Sequence, residues 1–375
     1  MRRDIVLVGA TTLDYVTSDQ TALISGGGAR AAIAAALACP NSPDTRVVAV
    51  TTLADNKTPT HEAIRTAMKE LKIEILSQGD ARVPVSIFRN DYGNTPSSQV
   101  RDNQHTFAPS EIAKTKTLNP AAAVFIGGPM VFNIGGMTAF AEQMTNQGAV
   151  VILDINPRKS ISQDISTRWA QHAQIIKIGD EDVTHYNCAS SRDTREIAER
   201  NTASYFLEKG AAFKKGIKLV LVTHGKNGAT AYWKENNELK QLSVPVCSPL
   251  EIKNEVGAGD AFDAGLAVAL REMNITPDNI TISATMVEKM VKRAHIISGQ
   301  TLTLYNSSEE LRPSAMNSII RGPLETILRS LEYPIPRKSD DAPNTVSSSA
   351  RFDFGSAAAP SQQSISDAIS SFQPN

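Results

Sequence analysis

Short runs of aliphatic and β-branched residues recur along the chain, separated by stretches in which apolar residues return every three or four positions. Ile5-Val6-Leu7-Val8, Val47-Val48-Ala49-Val50, Val124-Phe125-Ile126 and Val150-Val151-Ile152-Leu153 are unbroken apolar runs, as are Ile175-Ile176-Lys177-Ile178 (but for one lysine) and Leu219-Val220-Leu221-Val222. That is the pattern of strands buried on both faces. Between them, His61 to Leu71, Met137 to Gln147 and Arg195 to Lys214 carry helix formers with apolar positions three or four apart. Alternating strand and helix predict an α/β fold, with a mostly parallel sheet covered on both sides and right-handed crossovers.

Two regions leave that rhythm. Val83-Pro84-Val85-Ser86-Ile87-Phe88 alternates with period two, and Asp91-Tyr92-Gly93-Asn94 follows as a turn signal, which predicts an antiparallel hairpin over about 83–100 as a small flap. Ala229 to Trp233 and Leu239 to Val246 predict a second antiparallel pair near the far edge of the sheet. After Pro334 the composition shifts to Ser, Ala, Gln and Pro, and a segment this poor in aliphatics cannot offset its ordering entropy. The expected organisation is one domain over 1–335 and a disordered tail over 336–375. Phe352-Asp353-Phe354 is the tail's one candidate docking motif, weighed against a plain solvated tail.

Composition narrows the class. The chain has 375 residues, enough at about 150 per domain for two domains or one large α/β unit with a tail. With 38 Lys and Arg against 39 Asp and Glu, the formal charge is −1, which argues against nucleic acid or an anionic membrane as partner. Cys39, Cys188 and Cys247 are far apart and odd in number, fitting reduced thiols rather than a disulfide framework. No HExxH or Cys/His cluster suggests structural zinc, and no apolar stretch approaches the ~18 residues of a membrane span. A soluble cytoplasmic protein with a small ligand in a cleft is the expectation.

The segment richest in chemistry is Gly257-Ala258-Gly259-Asp260, which opens a small-residue apolar helix running to Leu270. Two glycines let the backbone turn tightly and approach a ligand, and the helix start aims unpaired amides and a positive dipole end at one spot. A carboxylate in the same turn suits phosphoryl transfer: amides hold the migrating group while Asp260 takes a proton from the attacking hydroxyl. The plainer alternative is an Asp-capped helix start, worth about 1 kcal/mol.

Three further features bear on that choice. Leu219 to Val222 lead into Thr223-His224-Gly225-Lys226-Asn227-Gly228, a Gly-bounded turn at the end of a buried strand, where α/β folds place nucleotides. Ser25-Gly26-Gly27-Gly28-Ala29-Arg30 leads into an alanine helix, where the glycines serve either close ligand approach or tight packing. Asp14, just past the first strand, is a candidate acceptor for ligand hydroxyls or an ordinary turn residue.

Taken in order and spacing, these motifs over roughly residues 4–310 resemble the PfkB (ribokinase-like) family of carbohydrate kinases. Asp154-Ile155-Asn156-Pro157-Arg158 and Lys177-Ile178-Gly179-Asp180-Glu181-Asp182 are similar to segments of its fructokinase and 2-keto-3-deoxygluconate kinase branch. The resemblance implies a three-layer α/β/α fold with a small β lid, and ATP and magnesium as cofactors. It implies a small-molecule sugar substrate and transfer of the γ-phosphoryl group to a sugar hydroxyl. Asp260 would be the general base, and Gly257, Ala258 and Gly259 the anion hole. Asp14, Gly26, Gly27, Arg30 and Arg158 would line the sugar pocket. Lys177, Thr223, Gly225, Gly228 and Asn254 would border the nucleotide, and Asp182 would act on magnesium through water.

Departures from the family pattern sharpen the expectations. Arg30 stands where a sugar-reading Asn is usual, and a guanidinium entering the pocket would predict an acidic or phosphorylated sugar. Asn254-Glu255-Val256 replaces Asp-Thr-Thr and removes an acidic ligand of a monovalent-cation site, against potassium activation. Gly179 stands in place of Asn or Ser, and Asp182 is one methylene shorter than the common Glu. Arg293 lies near an adenine-pocket position that is often Asn. The dozen residues between Asp14 and Gly26 predict first lid strands that are short or absent. A homodimer through the lid, as in some relatives, stays open. The competing readings are a nucleoside kinase of the same fold and a kinase-like binding protein of low turnover. A Rossmann or P-loop enzyme is disfavoured, since neither GxGxxG nor Walker A occurs.

Overall fold

The structure is a computed structural model, and it describes residues 3–16, 21–39, 42–51, 53, 59–77, 87–90, 118–126, 134–155, 172–183, 194–213, 215–246, 257–306 and 320–321. The tail expected over 336–375 and the segments 81–86 and 91–100 of the expected hairpin lie outside the described residues.

A nine-stranded sheet forms the centre. Its strands are β1 (Arg3–Val8), β4 (Thr45–Thr51), β5 (Ile73–Ser77), β7 (Pro120–Ile126), β8 (Val150–Ile155), β9 (Ile175–Gly179), β10 (Leu219–Thr223), β11 (Ala229–Glu235) and β12 (Glu238–Val244). Their spatial order is β12-β11-β10-β9-β8-β7-β1-β4-β5, parallel throughout except for the β10-β11-β12 meander at one edge. From β1 the chain first builds outward through β4 and β5, then crosses back and builds the other way from β7. The strand order therefore reverses between β1 and β7, the place where open α/β sheets form a ligand crevice.

All six apolar runs are strands of this sheet, and residues such as Ile5 to Val8 and Leu219 to Val222 have no exposed surface. One face carries α1 (Gly27–Ala38), α2 (Pro59–Glu70), α5 (Ala258–Glu272) and α6 (Ala284–Asn306), packed on Ile5, Leu7, Val124 and Ile152. The opposite face carries α3 (Ile134–Asn146) and α4 (Arg195–Ala211), packed on Val6, Val8, Phe125 and Val151. Alternate side chains of single strands thus fill two separate cores, which is why these strands read as continuous apolar runs. At the far end of β1, the Arg46 guanidinium grips Asp4 at 2.6 and 2.8 Å and Glu74 at 3.0 Å, tying β1, β4 and β5 together.

Alanine fills α1 because alanine is the best helix former and has the smallest side chain. The helix presses so close to β1 that a β-carbon on Gly28 would lie 2.5 Å from the carbonyl of Gly9. For Gly28 the tight-packing reading of the glycine run is therefore the correct one.

A second, four-stranded sheet has the order β13-β3-β2-β6, from β2 (Thr12–Val16), β3 (Thr21–Ser25), β6 (Ile87–Asn90) and β13 (Ile320–Arg321). Of the two alternatives expected for the first lid strands, short or absent, the structure shows the first: β2 and β3 form a five-residue antiparallel pair. The described part of the expected flap, β6, pairs in parallel with β2, and the hairpin's own second strand lies outside the described residues. Chain reversal inside a hairpin dictates antiparallel pairing only between its own two strands, and β2 comes from elsewhere.

Candidate active site

The first turns of α1 and α5 meet at the carboxyl ends of β1 and β7, at the strand-order reversal. Gly257 enters α5 with φ 89° and ψ 4°, a left-handed conformation that costs glycine nothing and other residues about 1–2 kcal/mol. Helix geometry leaves the amides of Ala258, Gly259 and Asp260 without intrahelical acceptors, pointing out of the helix start. Ala261 N–H already donates to the Gly257 carbonyl at 2.9 Å, and Ser298 Oγ donates to the Ala258 carbonyl at 3.0 Å, so the turn is fixed from α6 as well.

Three residues singled out from the sequence surround this turn. A β-carbon on Gly27 would sit 3.0 Å from Asp260 Oδ1 and 2.4 Å from Ile126 Cγ2, so the absent side chain leaves room for the carboxylate. The Arg30 side chain lies along Gly257, with Cδ 3.0 Å and a terminal guanidinium nitrogen 3.4 Å from the position a β-carbon would take. Lys177 approaches from the sheet side, its Nζ 3.0 Å from the β-carbon position of Gly259. Gly26, Gly27, Arg30, Lys177 and Gly257 to Asp260 thus converge on one place from α1, β9 and α5.

Lys177 is 6% exposed and bridges two carboxylates, Asp154 Oδ2 at 3.1 Å and Asp263 Oδ2 at 3.6 Å. Burial by itself would drive the ammonium's pKa down, but Asp154 foremost, then Asp263 and Asp260, outweigh it and hold the pKa above the ordinary lysine value. Asp263 is fully buried, one helical turn beyond Asp260, and neither of its oxygens receives a hydrogen bond. Burial pushes its pKa well up, and the facing carboxylate of Asp154 adds to the shift.

Sequence inspection passed over Asp263. Its signal was a carboxylate inside Ala261-Phe262-Asp263-Ala264-Gly265-Leu266, since an acid in an unbroken apolar run needs a partner.

The expected nucleotide residues group at the carboxyl ends of β9 and β10. Thr223 pairs in register with Gly179, and its carbonyl accepts from the Asp180 amide at 3.0 Å. Gly225 opens a single 3-10 turn over Gly225–Asn227, which Gly228 closes with φ 99°. Asp182 folds back on Gly179, Oδ2 lying 3.2 Å from that glycine's β-carbon position, where a side chain such as Asn would crowd it. Strand β9 joins the two groups: Lys177 lies under the anion turn, and Gly179 ends the strand beside Thr223. Next to this turn is a cleft of about 410 Å³ lined by Asp180, Arg195, Glu199, His224, Asn227 and Tyr232. Its carboxylates face Arg195 and His224.

Magnesium bound with a nucleotide takes most of its ligands from phosphate and water and only one or two from carboxylates. Asp182 offers such a carboxylate, and among the described residues no three acidic, His or Cys side chains converge as a metal cage. Arg293, expected near the adenine, forks onto Glu272 at 2.8 and 3.1 Å. Asp14 sits centrally in β2, while Arg158 and Asn254 lie outside the described residues. Among the described residues, no helix is long and apolar enough to cross a membrane.

Comparison with known proteins agrees with this geometry. The model of the pfkB family carbohydrate kinases matches residues 26–313. A fructokinase of Rhizobium leguminosarum bv. trifolii is 30% identical over 132 residues, a match spanning 34% of this chain and 35% of that protein. Among solved structures, ribokinase from Giardia lamblia superposes with TM-score 0.60 at 13% identity, covering 88% of this chain and 98% of that one. Aminoimidazole riboside kinase from Salmonella enterica, complexed with aminoimidazole riboside and an ATP analog, gives 0.58 at 14% identity, covering 88% and 100%. Fructokinase with bound ATP from Xylella fastidiosa gives 0.57 at 13% identity, covering 88% and 99%. The fold is ribokinase-like.

Proposed function

Because this chain belongs to the pfkB family of carbohydrate kinases, we propose that it transfers the γ-phosphoryl group of ATP to a hydroxyl of a sugar or sugar derivative. The carrying observation is the placement of Asp260, whose carboxylate occupies the space left by Gly27 at the mouth of the Gly257–Gly259 turn.

The chemistry follows from that placement. Asp260 accepts the proton of the attacking hydroxyl as its oxygen bonds to phosphorus and the bond to the ADP oxygen breaks. The amides of Ala258, Gly259 and Asp260 face the charge that spreads over the migrating phosphoryl oxygens, aided by the positive end of α5. Thr223, Gly225, Gly228 and Asn254 border the nucleotide. Asp182 would hold magnesium, and the ion would neutralise phosphate charge there. Asp14, Gly26, Gly27, Arg30 and Arg158 line the sugar side. With Arg30 laid along Gly257, the favoured substrate is a sugar bearing a carboxylate or phosphate, which a guanidinium pairs bidentately. Asn254 replaces a cation-binding acid, so potassium is not required. The cytoplasm supplies ATP and keeps the three cysteines reduced.

ADP release from a panel of neutral sugars, sugar acids, sugar phosphates and nucleosides tests the reading. Asp260→Ala should cost about 10²–10⁴-fold in kcat. Undiminished turnover in that variant removes Asp260 as base, and turnover confined to nucleosides replaces the sugar with a riboside.

A further inference from the structure

We propose that Lys177 is a positioning residue for phosphoryl transfer: its ammonium, seated behind Gly259 between Asp154 and Asp263, supplies positive charge to the anion turn from inside the fold. The inference rests on the kinase reading and adds an electrostatic element to its site.

Lys177 Nζ lies 3.0 Å from the β-carbon position of Gly259, and no other described atom beyond the local backbone comes within 4 Å of that point. The two acids hold the ammonium at 3.1 and 3.6 Å. Of the three charged groups, it is the ammonium that meets the Gly259 position. The side chains of Lys177, Asp154 and Asp263 are 0–9% exposed, so water screens the charges of the trio weakly. The lysine sits behind the amides, where it strengthens the attraction that a developing phosphoryl charge meets without touching substrate.

The state of Asp263 decides whether that charge survives. Two ionised acids around one ammonium would leave net negative charge behind the anion turn, opposing a phosphoryl group. Burial pushes the Asp263 carboxyl pKa well up against the opposing pull of Lys177, which favours its neutral form and limits that negative charge. The charged groups facing Lys177 are Asp154 from β8 and Asp263 and Asp260 from α5.

Lys177→Met alone would strand a buried Asp154 carboxylate and could unfold the chain. The decisive variant is therefore Lys177→Met with Asp154→Asn, which removes ammonium and carboxylate together. Steady-state kinetics with the substrate found in the panel, and thermal unfolding in parallel, give the readouts. The expected result is a thermal midpoint within a few degrees of the parent and kcat lower by about 10²–10³-fold, the usual cost of losing one anion-hole donor, at little-changed sugar KM. Retention of kcat within threefold overturns the proposal. So does loss of kcat accompanied by an equal loss of folded protein, which marks a purely structural role. Absence of any phosphorylation by the parent protein speaks against the kinase reading instead.

Discussion

The carboxylate of Asp260 stands 3.0 Å from the point where Gly27 would carry a β-carbon, so one residue of α1 sets the space in which the proposed base works. The two belong to the first turns of helices far apart in the sequence. In Gly27→Ala the new methyl meets both Asp260 Oδ1 and, at 2.4 Å, Ile126 Cγ2. Overpacking of this kind costs about 1–3 kcal/mol of stability, and displacement of the base by about 1 Å costs about 10²-fold in kcat. Unfolding curves and turnover of the purified variant check both.

Arg30→Gln keeps a polar side chain near Gly257 but removes the charge. Loss of a charge-assisted hydrogen bond, about 1.5–3 kcal/mol, should raise KM for an acidic or phosphorylated sugar about 10–100-fold. A neutral sugar of the same ring should be far less affected. Side-by-side KM measurements on a sugar acid and its neutral counterpart decide it.

Asp263→Asn should make the protein more stable in neutral solution. The folded-state pKa of Asp263 is raised above its usual 3.8. Its contribution to stability is therefore full below that value and is lost as pH rises toward the folded pKa. Asparagine does not titrate, so the difference between variant and parent opens above pH ~4 and widens with pH until the folded pKa is passed. Urea unfolding at several pH values measures that gap, and a gap that closes as pH rises contradicts a buried neutral acid.

His295, stacked against Phe262 with ring centroids 5.2 Å apart, gives the opposite slope. Burial lowers its pKa to about 4, against about 6.5 when unfolded, and its Nδ1 has no hydrogen-bond partner. Its contribution is complete above the unfolded value and is lost as pH falls from about 6.5 through 4. His295→Leu should flatten that acid loss relative to the parent, seen as a smaller drop in thermal midpoint between pH 7 and 4.

The sheet was legible because strands such as Leu219 to Val222 insert alternate side chains into two cores and must be apolar at every position. The helix starts were legible because Gly257 and Gly27 are residues that no side chain could replace without strain or collision. Arg30 was visible as a charged residue in a glycine run, but its direction depends on the packing of α1 against α5, which local sequence does not encode. The small sheet was harder to read. Strand β2 finds its partners in β3 and in residues 87–90, and β3 also pairs with residues 320–321, so short strands with distant partners looked like connecting loop. Asp263 stayed hidden because its meaning lies in Lys177 and Asp154, contributed by strands far upstream.

The reversal of strand order between β1 and β7 has a consequence for synthesis. Gly27 and Arg30 leave the ribosome early, whereas Asp260 arrives only after the whole sheet has been translated. A polypeptide ending before α5 therefore lacks both the proposed base and the amide turn, whatever part of the sheet it has already built.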